Sequence, residues 1–452
     1  MPSKIRFCLA TAAVISVALS VIPGVAGAGK WSGTKPVASK SRLLTGFSTD
    51  VGDNGYAVMA YVVPGESLPG DFEGAVFIKV RRPGEKYFRP ALFRGITHTP
   101  FTDVEIGPGG MSLVTYRGEN GRWRIATRWP WGDWLPTQEL QGSAGIPEVQ
   151  IRIGREAYAA IVGIDTGSDD RTVLLSTRDP QTGLFSDWLK VSGDPSRVGD
   201  SVSVSPGRFG RWTVVWSAPC SAEGGNEGAS WTEVNDGGET EISPVPGAGC
   251  VTRGIDIQSD RRGNQYLKLS LVRGIQLVTR KGNGKFGLAT TVSDPDDRTD
   301  GGHLSVSGNG LATLVWGHVR EGGYPRDSYL YVRSRLGSSP SMPRKMKGVR
   351  LGRRSRNDVL KGVSPLPHGG LALAFTRSWF TRSDLVRMKA GVAEWKPGSR
   401  MKPPVYTRGG PAGRFISRIG VETSFRGAKL LWWSTQTELT ARPLGFWWRA
   451  RF

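Results

Sequence analysis

The stretch GKWSGTKPVAS, residues 29–39, has the composition of a final edge strand although it stands near the start of the chain. It contains an aromatic residue, then Pro and a small apolar tail, and edge strands later in the sequence share this pattern. A strand that begins a chain can complete a sheet that ends it. The units that lie between therefore decide the fold.

A short apolar strand recurs eight times, at intervals of 46 to 60 residues. The copies are YAVMAYV at Tyr56, MSLVTYR at Met111, AYAAIVGI at Ala157, WTVVWSA at Trp212, QYLKLSL at Gln265, LATLVWG at Leu311, LALAFTR at Leu371 and KLLWWST at Lys429. A period of this length indicates stacked structural units, and four-stranded propeller blades fit it.

Each copy is flanked by further strands. VSVSP precedes Trp212, TVLLSTRD follows the copy at Ala157, and hairpins then lead to edge strands such as FSDWLKVSG. The chain has 62 Gly and 29 Pro, and no window shows sustained helical spacing. We expect an all-β protein, a β-propeller of eight four-stranded blades. Seven blades is the alternative, because the fifth and seventh units are poorly patterned.

The eighth unit ends at Phe452 after only three strands. We expect the N-terminal strand in residues 29–39 to pair with this unit and close the last blade, which removes exposed sheet edges. The alternative is that this segment is a disordered N-terminal tail.

Residues 1–28 have the pattern of a secretory signal peptide. Lys4 and Arg6 precede an apolar run, and residues 26–28 form an A-x-A cleavage site. We therefore expect one propeller domain at residues 29–452 that is secreted, extracellular or associated with the cell envelope, and monomeric. An uncleaved membrane anchor is the alternative, although the apolar run is borderline for spanning a bilayer. No later stretch is long and apolar enough to cross one.

Three cysteines are present, and Cys8 lies within the signal peptide. Its removal leaves Cys220 and Cys250 as an isolated pair in an oxidising compartment. In the expected blades both lie in connections on the same face of the propeller. We therefore expect them to form a disulfide bond.

Three hairpins share a loose R-x-x-G-x-W/F-x-x-P pattern, namely VRRPGEKYFRPALFRG, STRDPQTGLFSDWLKVSG and TRKGNGKFGLATTVSD. In this pattern the chain resembles secreted actinobacterial β-propeller proteins with sialidase-like repeats, and the resemblance covers most of the chain. It implies a propeller fold and export. The Asp boxes of sialidases, S-x-D-x-G-x-x-W, are not found in these hairpins, and their arginine triad and Tyr–Glu pair cannot be placed.

Two predicted loops combine aromatic side chains with arginines. Aromatic faces stack on sugar rings, and guanidinium groups hold carboxylate, sulfate or phosphate in two-point contacts. Alternatively, the aromatics cap a blade interface and the arginines are solvated. The candidate ligand-binding residues are Tyr324, Arg326, Arg377, Trp379, Phe380 and Arg382.

The formal net charge is +21, and residues 333–356 hold nine Lys or Arg and no acid. This charge predicts salt-sensitive binding to an anionic polysaccharide or another envelope polyanion. A basic surface with no dedicated partner is the alternative. The candidate polyanion-binding residues are Arg333, Arg335, Arg344, Lys345, Lys347, Arg350, Arg353, Arg354 and Arg356.

Other motifs are weaker. DPDDRTD, residues 294–300, could bind calcium through Asp294, Asp296, Asp297 and Asp300, but Arg298 occupies a ligand position and a solvated turn is the alternative. No other metal or cofactor is expected. DPQTGLFSDW, residues 179–188, approaches the D-x-x-T-G-x-x-x-W motif of quinone-dependent dehydrogenases, but its Trp is one position late and no other blade repeats it.

Paired acids also occur in predicted loops, at Asp169 and Asp170 and at Glu223 and Glu227. Sequence alone cannot give the distance between carboxylates of different blades, so we assign no catalytic residue. We expect a non-catalytic propeller that binds an acidic glycan or another envelope polyanion. The first alternative is a sialidase-like glycoside hydrolase or lyase, which requires carboxylates and arginines to converge at the channel mouth. The second is a structural or protein-interaction scaffold of the envelope.

Overall fold

The structure is a computed structural model. It describes residues 35–36, 44, 46–65, 73–85, 87–107, 109–130, 132–167, 170–207, 210–220, 228–235, 238–239, 241–293, 299, 302–319, 325–333, 344–345, 357–366, 370–380, 386–396, 405–407, 414–423, 429–437 and 445–451. The predicted signal peptide at residues 1–28 lies outside these ranges and stays a prediction.

Six separate antiparallel sheets, blades 1 to 6, follow one another along the chain after the first described strand, β1 (Lys35–Pro36). Blade 1 contains β2 (Gly46–Val51), β3 (Ala57–Pro64), β4 (Gly74–Arg81) and β5 (Leu92–Thr97). Blade 2 contains β6 (Thr102–Ile106), β7 (Ser112–Arg117), β8 (Trp123–Arg128) and β9 (Gln138–Glu139). Blade 3 contains β10 (Val149–Ile153), β11 (Ala159–Asp165), β12 (Thr172–Arg178) and β13 (Leu189–Lys190).

Blade 4 has five strands, because two short edge strands pair with its third strand, and blades 5 and 6 have four. Blade 4 contains β14 (Val202–Pro206), β15 (Trp212–Ser217), β16 (Ala229–Asn235), β17 (Gly238–Glu239) and β18 (Ser243–Pro244). Blade 5 contains β19 (Val251–Ser259), β20 (Gln265–Leu271), β21 (Ile275–Arg280) and β22 (Thr290–Thr291). Blade 6 contains β23 (His303–Val306), β24 (Ala312–Val319), β25 (Pro325–Arg333) and β26 (Arg344–Lys345). Two short 3-10 turns, Arg155–Ala157 and Pro195–Arg197, occur among the described residues.

The remaining strands form one sheet of eight strands, the C-terminal sheet. It contains β1, β27 (Asn357–Pro365), β28 (Leu371–Phe380), β29 (Val386–Trp395), β30 (Val405–Tyr406), β31 (Arg414–Thr423), β32 (Lys429–Thr437) and β33 (Gly445–Arg451). β1 pairs antiparallel with β33, with Lys35 opposite Trp448.

The prediction of eight separate four-stranded blades was wrong, and the alternative of seven is not supported either. The chain forms a propeller of six separate blades plus the C-terminal sheet. The cause is a parallel bridge between Arg387 of β29 and Arg414 of β31, which joins two repeat units into one sheet. The pairing of the N-terminal strand with the last strand is present, but within this larger sheet.

The second strand of each blade is the most deeply buried. Every residue of β15, and the first five residues of β7, are buried. A strand that packs on both faces must be apolar throughout, which explains the continuous runs in the repeat. Between blades 3 and 4, for example, Val173 packs with Trp212 and Val214 in one apolar cluster.

The arginine of the hairpin pattern has a structural role. It ends the third strand of four blades and is almost fully buried, at Arg81, Arg128, Arg178 and Arg280. Nη1 of Arg81 donates to the carbonyl of Gly55 at 3.0 Å, and Nη1 of Arg178 donates to that of Ala157 at 2.9 Å. Arg128 stacks on Tyr56 of the preceding blade, 5.0 Å from the ring centre. This pattern therefore fixes hairpins and blade interfaces.

Cys220 and Cys250 form the expected disulfide bond, with Cα atoms 5.5 Å apart. Cys220 lies between β15 and β16, and Cys250 immediately precedes β19, so the bond ties blade 4 to the start of blade 5. Within the described ranges, no helix has the length and apolar character needed to span a bilayer.

Candidate functional site

The first strands of the blades surround a central channel. Each contacts the next around a closed ring that runs β2, β6, β10, β14, β19, β23, β27, β31 and back to β2. These strands form the inner edge of their sheets, so their residues lie nearest the channel, with side chains that alternate between the two neighbouring blades.

A shared turn aligns these strands residue by residue. After the first strand of each of blades 1 to 6, one amide donates to the carbonyl four residues later, with distances of 2.7 to 3.0 Å. The donors are Gly52, Gly107, Gly154, Gly207, Asp260 and Ser307. We call the residues two positions before these donors row one; they are Asp50, Glu105, Arg152, Ser205, Gln258 and Ser305. Four residues before the donors lies row two: Ser48, Asp103, Gln150, Ser203, Asp256 and His303.

Side chains in the two rows hold neighbouring blades together. Oδ2 of Asp50 accepts from the amide of Ile106 in the next blade at 2.6 Å, and Oε1 of Gln258 accepts from Val306 at 3.0 Å. Oε1 of Gln150 accepts in the same way from Val204, at 3.0 Å. We call each such bond a latch. Since glutamines form latches as well as acids do, the bond itself does not require a negative charge.

Ionisable groups concentrate in blades 1 to 3, where row one carries Asp50, Glu105 and Arg152 and row two carries Asp103. Oε2 of Glu105 lies 3.6 Å from Nη1 of Arg152, and both side chains are 26 % exposed. Val104 and Ile106 alternate with these acids and are buried in the apolar contact with blade 1. Because about a quarter of the Glu105 and Arg152 side chains is exposed, water can reach this pair although it lies deep in the ring.

The local environment gives Glu105 and Asp50 different pKa values. Burial raises the pKa of Glu105 to about 8, Asp50 and Asp103 add to the rise, and Arg152 opposes it. Burial also raises the pKa of Asp50 to about 6, against backbone hydrogen bonds from Ile106 and Val51 that favour the carboxylate. At neutral pH, Glu105 therefore holds a proton while Asp50 is largely ionised.

Charges from distant blades reach the same cluster. Burial raises the pKa of Glu422, on β31, well above the usual range, and Asp50 adds to the rise. Burial disfavours the charge of Arg152, but Glu105 and Asp256 outweigh it, so the pKa of Arg152 is raised. Asp256 belongs to blade 5, two blades beyond Arg152. Such effects across the ring indicate that these side chains converge on the channel.

This arrangement provides the groups that acid–base chemistry needs. Asp103 and Glu105 are two residues apart on one strand and share a face, so their Cα atoms are about 6.8 Å apart. Glycosidases place two carboxyl groups about 5 to 9.5 Å apart across the bond that they cleave, and side chains that leave one strand face at this Cα spacing can place their carboxyl groups within that range. Glu105 can donate a proton near neutral pH, and burial raises the pKa of Asp103, which strengthens it as a base once it is ionised.

The candidate ligand-binding residues were placed in loops by the sequence, and for four of them this was wrong. Arg326 lies on β25, and Arg377, Trp379 and Phe380 lie on β28. Arg377 stands opposite Asp358 in the sheet and stacks on Tyr406, 4.0 Å from the ring centre, which gives it a packing role. Two further candidates, Tyr324 and Arg382, lie outside the described residues.

Three of the candidate polyanion-binding residues lie on strands, Arg333 at the end of β25 and Arg344 and Lys345 on the edge strand β26. The other six lie outside the described residues: Arg335, Lys347, Arg350, Arg353, Arg354 and Arg356. Binding of a polyanion at this stretch stays a prediction.

The calcium candidates Asp294, Asp296, Asp297 and Asp300 also lie outside the described residues, as do Asp169, Glu223 and Glu227. In the part of the chain that is described, no group of three or more His, Cys, Asp or Glu side chains is arranged to hold a metal ion.

The channel acids were not identified from the sequence. Their signal is present in TDVEIG, residues 102–107, where acids alternate with Val and Ile before a turn glycine. Alternation predicts a half-buried strand. It cannot show that Asp50 and Arg152 of neighbouring blades lie beside the acids of this one.

No protein-family model and no curated protein sequence matches this chain. Among solved structures, an ulvan lyase, a polysaccharide lyase described with a bound -[GlcA(1-4)Rha3S]- chain, is 10 % identical, with a TM-score of 0.48 over 93 % of this chain and 95 % of that one. An α-L-arabinanase of Penicillium chrysogenum is 10 % identical, with a TM-score of 0.39 over 67 % of this chain and 98 % of that one. An acylaminoacyl peptidase of Pyrococcus horikoshii is also 10 % identical, with a TM-score of 0.44 over 91 % of this chain and 60 % of that one.

Proposed function

We propose that this protein is a glycoside hydrolase that acts at the central channel. The observation that carries the proposal is the convergence of Asp50, Asp103, Glu105 and Arg152 on one side of the ring, with Glu105 protonated near neutral pH. Paired carboxyl groups, one of them with a raised pKa, are the usual equipment for acid–base cleavage of a glycosidic bond.

In the proposed reaction, Glu105 donates its proton to the glycosidic oxygen as the bond between that oxygen and the anomeric carbon breaks. Asp103 accepts a proton from a water molecule, whose oxygen forms the new bond to the anomeric carbon. Arg152 limits the rise in the pKa of Glu105 and so keeps its proton available for transfer.

The latches offer a structural explanation for the same acids, and isosteric amides separate it from the catalytic one. Glu105 and Asp103 accept from the amides of Ile153 and Ile151 in the next blade. Glu105→Gln and Asp103→Asn keep an acceptor there, as Gln150 and Gln258 do, but remove the acid. We expect each variant to lose at least about a hundredfold in turnover, the usual contribution of a general acid or base, while its melting temperature is no lower than that of the wild type.

The test is to incubate the purified protein with arrays of acidic and neutral glycans and to measure released reducing ends. Glu148→Gln, a change at an exposed acid that belongs to neither row, is the matched control. Turnover should also fall above about pH 8, as Glu105 loses its proton. Retention of a glycan with no release at any pH would overturn the proposal.

That outcome would favour the second candidate, a non-catalytic protein that binds an acidic glycan or another polyanion. The net charge of +21 supports this candidate. Binding of this kind should weaken steeply between low and high salt, and it should not respond to Glu105→Gln. Export to the cell surface, which both candidates assume, rests on the predicted signal peptide.

A further inference from the structure

The turns that follow the first strands lie together at one end of the channel, because those strands surround it. We call them the inner turns. In blades 1 and 2 they read GDNGY (52–56) and GPGGM (107–111), with one acid and no cation. In blades 3 to 5 they read GREAY (154–158), GRFGR (207–211) and DRRGN (260–264), with five arginines and two acids. This end of the channel is therefore basic on the side of blades 3 to 5.

Two of these arginines meet across blade 4, whose own Arg208 lies outside the described residues. Nη2 of Arg155, in blade 3, donates to the carbonyl of Arg261, in blade 5. The amide of Arg261 donates to the carbonyl of Gly308, in blade 6, at 3.2 Å. The Arg261 side chain lies against the same glycine, because a Cβ added to Gly308 would be 2.8 Å from Nε of Arg261. Specific contacts therefore hold both arginines at the end of the channel.

The inner turn of blade 3 has an unusual backbone. In blades 1, 2, 5 and 6 the amide of the fourth turn residue, a glycine with positive φ, donates to the carbonyl of the first. In blade 3 the fourth residue is Ala157, with a φ of +64°, and Glu156 before it has a φ of +57°. The amide of Tyr158 donates instead to the carbonyl of Arg155, at 3.2 Å. Left-handed backbone is costly for residues other than glycine, and such strain is typical of ligand-binding positions.

The two acids of these turns leave a net positive charge. Asp260 accepts from the amides of Arg262 and Asn264 at 2.8 and 2.9 Å, and from Nδ2 of Asn264 at 2.7 Å, so its carboxylate is used within its own turn. The other acid, Glu156, is exposed. The described part of the three turns has a net charge of +2, because four arginines stand against these acids: Arg155, Arg211, Arg261 and Arg262. An anion bound among the arginines would relieve their mutual repulsion.

The inner turns are close to the candidate catalytic residues. Arg155 follows Arg152 of row one by three residues, so their Cα atoms are at most about 10 Å apart. A glycan bound beside Glu105 and Arg152 therefore needs to extend by only about this distance to reach the arginines. Guanidinium groups bind oxyanions through paired N–H donors. Donors that come from two blades suit a tetrahedral group, with oxygens in several directions, better than a planar carboxylate.

We propose that the inner turns of blades 3 to 5 form a binding site for a sulfate group of a sulfated polysaccharide, with Arg155 and Arg261 as its main contacts. The inference rests on the function proposed above in taking the carrier of this group to be the glycan that enters the channel. It names the class of substrate, a sulfated glycan, which the channel acids alone do not select.

The test uses a sulfated tetrasaccharide and its desulfated counterpart, each titrated calorimetrically into the Glu105→Gln protein, so that the ligand is not consumed. At about 0.15 M salt the sulfated tetrasaccharide should bind about tenfold more tightly, as expected for a charge-assisted contact. Equal affinity for the two would overturn the proposal. A linear polyphosphate of equal charge is titrated in parallel, and tighter binding of the polyphosphate would overturn the choice of a glycan as the carrier.

Arg155→Gln removes one guanidinium group from the site and should abolish most of the preference for the sulfated tetrasaccharide. Arg273→Gln is the matched control, because it makes the same change in charge at an exposed arginine between β20 and β21, at the opposite end of blade 5. This control should retain the preference. An equal loss in both variants would assign the effect to the net charge of the protein and overturn the proposal.

Gly308→Ala keeps the test decisive if Arg155→Gln does not fold, and it changes no charge. Its Cβ displaces the side chain of Arg261 from its place against residue 308. The variant should bind the sulfated tetrasaccharide a few-fold more weakly and the desulfated one as before. Unchanged binding of both ligands would overturn the role of Arg261.

Release of reducing ends by the wild-type protein separates this proposal from the hydrolase. A preference for the sulfated tetrasaccharide without any release would contradict the hydrolase and support the sulfate site. Release at equal rates from the sulfated and desulfated glycans, with equal affinities, would support the hydrolase and overturn the sulfate site.

Discussion

Both halves of the channel wall form latches between blades, but the side chains that line the two halves differ in charge. In blades 1 to 3, row one carries Asp50, Glu105 and Arg152, whereas blades 4 and 6 carry Ser205 and Ser305 at the same position. Latches occur in both halves, from Asp50 in one and from Gln258 in the other. Charge is therefore additional to the structural task, and burial raises the pKa of the acids that carry it.

Two pairs of a glutamate and an arginine differ in the same way, one between blades 4 and 5 and one in the channel. Between blades 4 and 5, Nη2 of Arg280 lies 3.1 Å from Glu233, and the two side chains are only 2 % and 11 % exposed. Nη1 of Arg280 also donates to Thr213 and Gln265. The channel pair of Glu105 and Arg152 is longer, at 3.6 Å, and more exposed. A dry pair with further hydrogen bonds is typical of a structural role, and a wet, loose one is not.

The largest effect that we expect follows from this difference. Glu233→Gln removes the charge that balances a fully buried arginine, and should lower the free energy of unfolding by about 3–5 kcal/mol. Glu105→Gln should not lower it at pH 8, because the folded protein already favours the protonated form of this acid. Chemical denaturation of both variants at pH 8 is the measurement. Similar losses in the two would remove the distinction between the pairs.

The pH dependence of stability is the next largest expected effect. The pKa of Glu105 rises from an ordinary value near 4.5 to about 8 in the folded protein, and that of Asp50 rises from 3.8 to about 6. At pH values between the unfolded and the folded pKa of each acid, the folded protein binds more protons than the unfolded chain. The free energy of unfolding is therefore highest at the low-pH end of this range and decreases as the pH rises. We expect a loss of roughly 2–4 kcal/mol from pH 5 to pH 8 from Glu105, allowing for its contact with water.

Glu105→Gln should remove most of this slope and raise the melting temperature at pH 8, as followed by calorimetry at several pH values. Glu148→Gln, the exposed control, should leave the slope unchanged. A wild-type stability that increases from pH 5 to pH 8 would contradict the raised pKa values of the channel acids.

The latches can be tested separately from charge. Asp50→Leu removes the acceptor of the Ile106 amide and should cost about 1–3 kcal/mol of stability, whereas Asp50→Asn keeps an acceptor and should cost little. Gln258→Leu should cost a similar amount in the other half, because it leaves the Val306 amide without its acceptor. Denaturant titration at pH 8 compares the three. If Asp50→Leu and Asp50→Asn were equally stable, the latch would have no measurable role.

The repeat itself was readable because its cause is local. Alternating and continuous apolar runs predict strands, turn residues predict hairpins, and two cysteines predict one bond, so the propeller and the Cys220–Cys250 disulfide followed from the sequence. The arrangement of the last sheet did not follow, because it depends on one bridge between Arg387 and Arg414. A single pairing between residues 27 positions apart leaves no pattern in composition or period.

The placement of candidate residues in loops was wrong for a related reason. Trp379 and Phe380 were read as loop residues, but β28 continues to Phe380 because β29 pairs with it along its whole length. The channel acids were missed because function there arises between blades. Asp103 and Glu105 have the pattern of an ordinary half-buried strand, and their importance comes from neighbours more than 40 residues away in sequence.

The smallest effect that we expect comes from placing an acid in the uncharged half of row one. Gln258→Glu places an acid in row one of the neutral half without changing shape. Nε2 of Gln258 donates to the carbonyl of Leu304 at 3.0 Å, and only a protonated glutamic acid can replace that donor. Asp256, two residues away, also disfavours a second negative charge. The variant should therefore match the wild type at pH 5 and be less stable at pH 8, by up to about 1 kcal/mol.

Melting temperatures at the two pH values, with glycan release measured in parallel, test this reversal. A cost that is equal at pH 5 and pH 8 would mean that shape, and not charge, decides what row one accepts. Release unchanged from the wild type would place the chemistry on the acidic half alone, where Glu105 and Asp103 already have their partners. A gain in release would mean that any acid in row one can contribute, and that the division of the ring into two halves has no functional meaning.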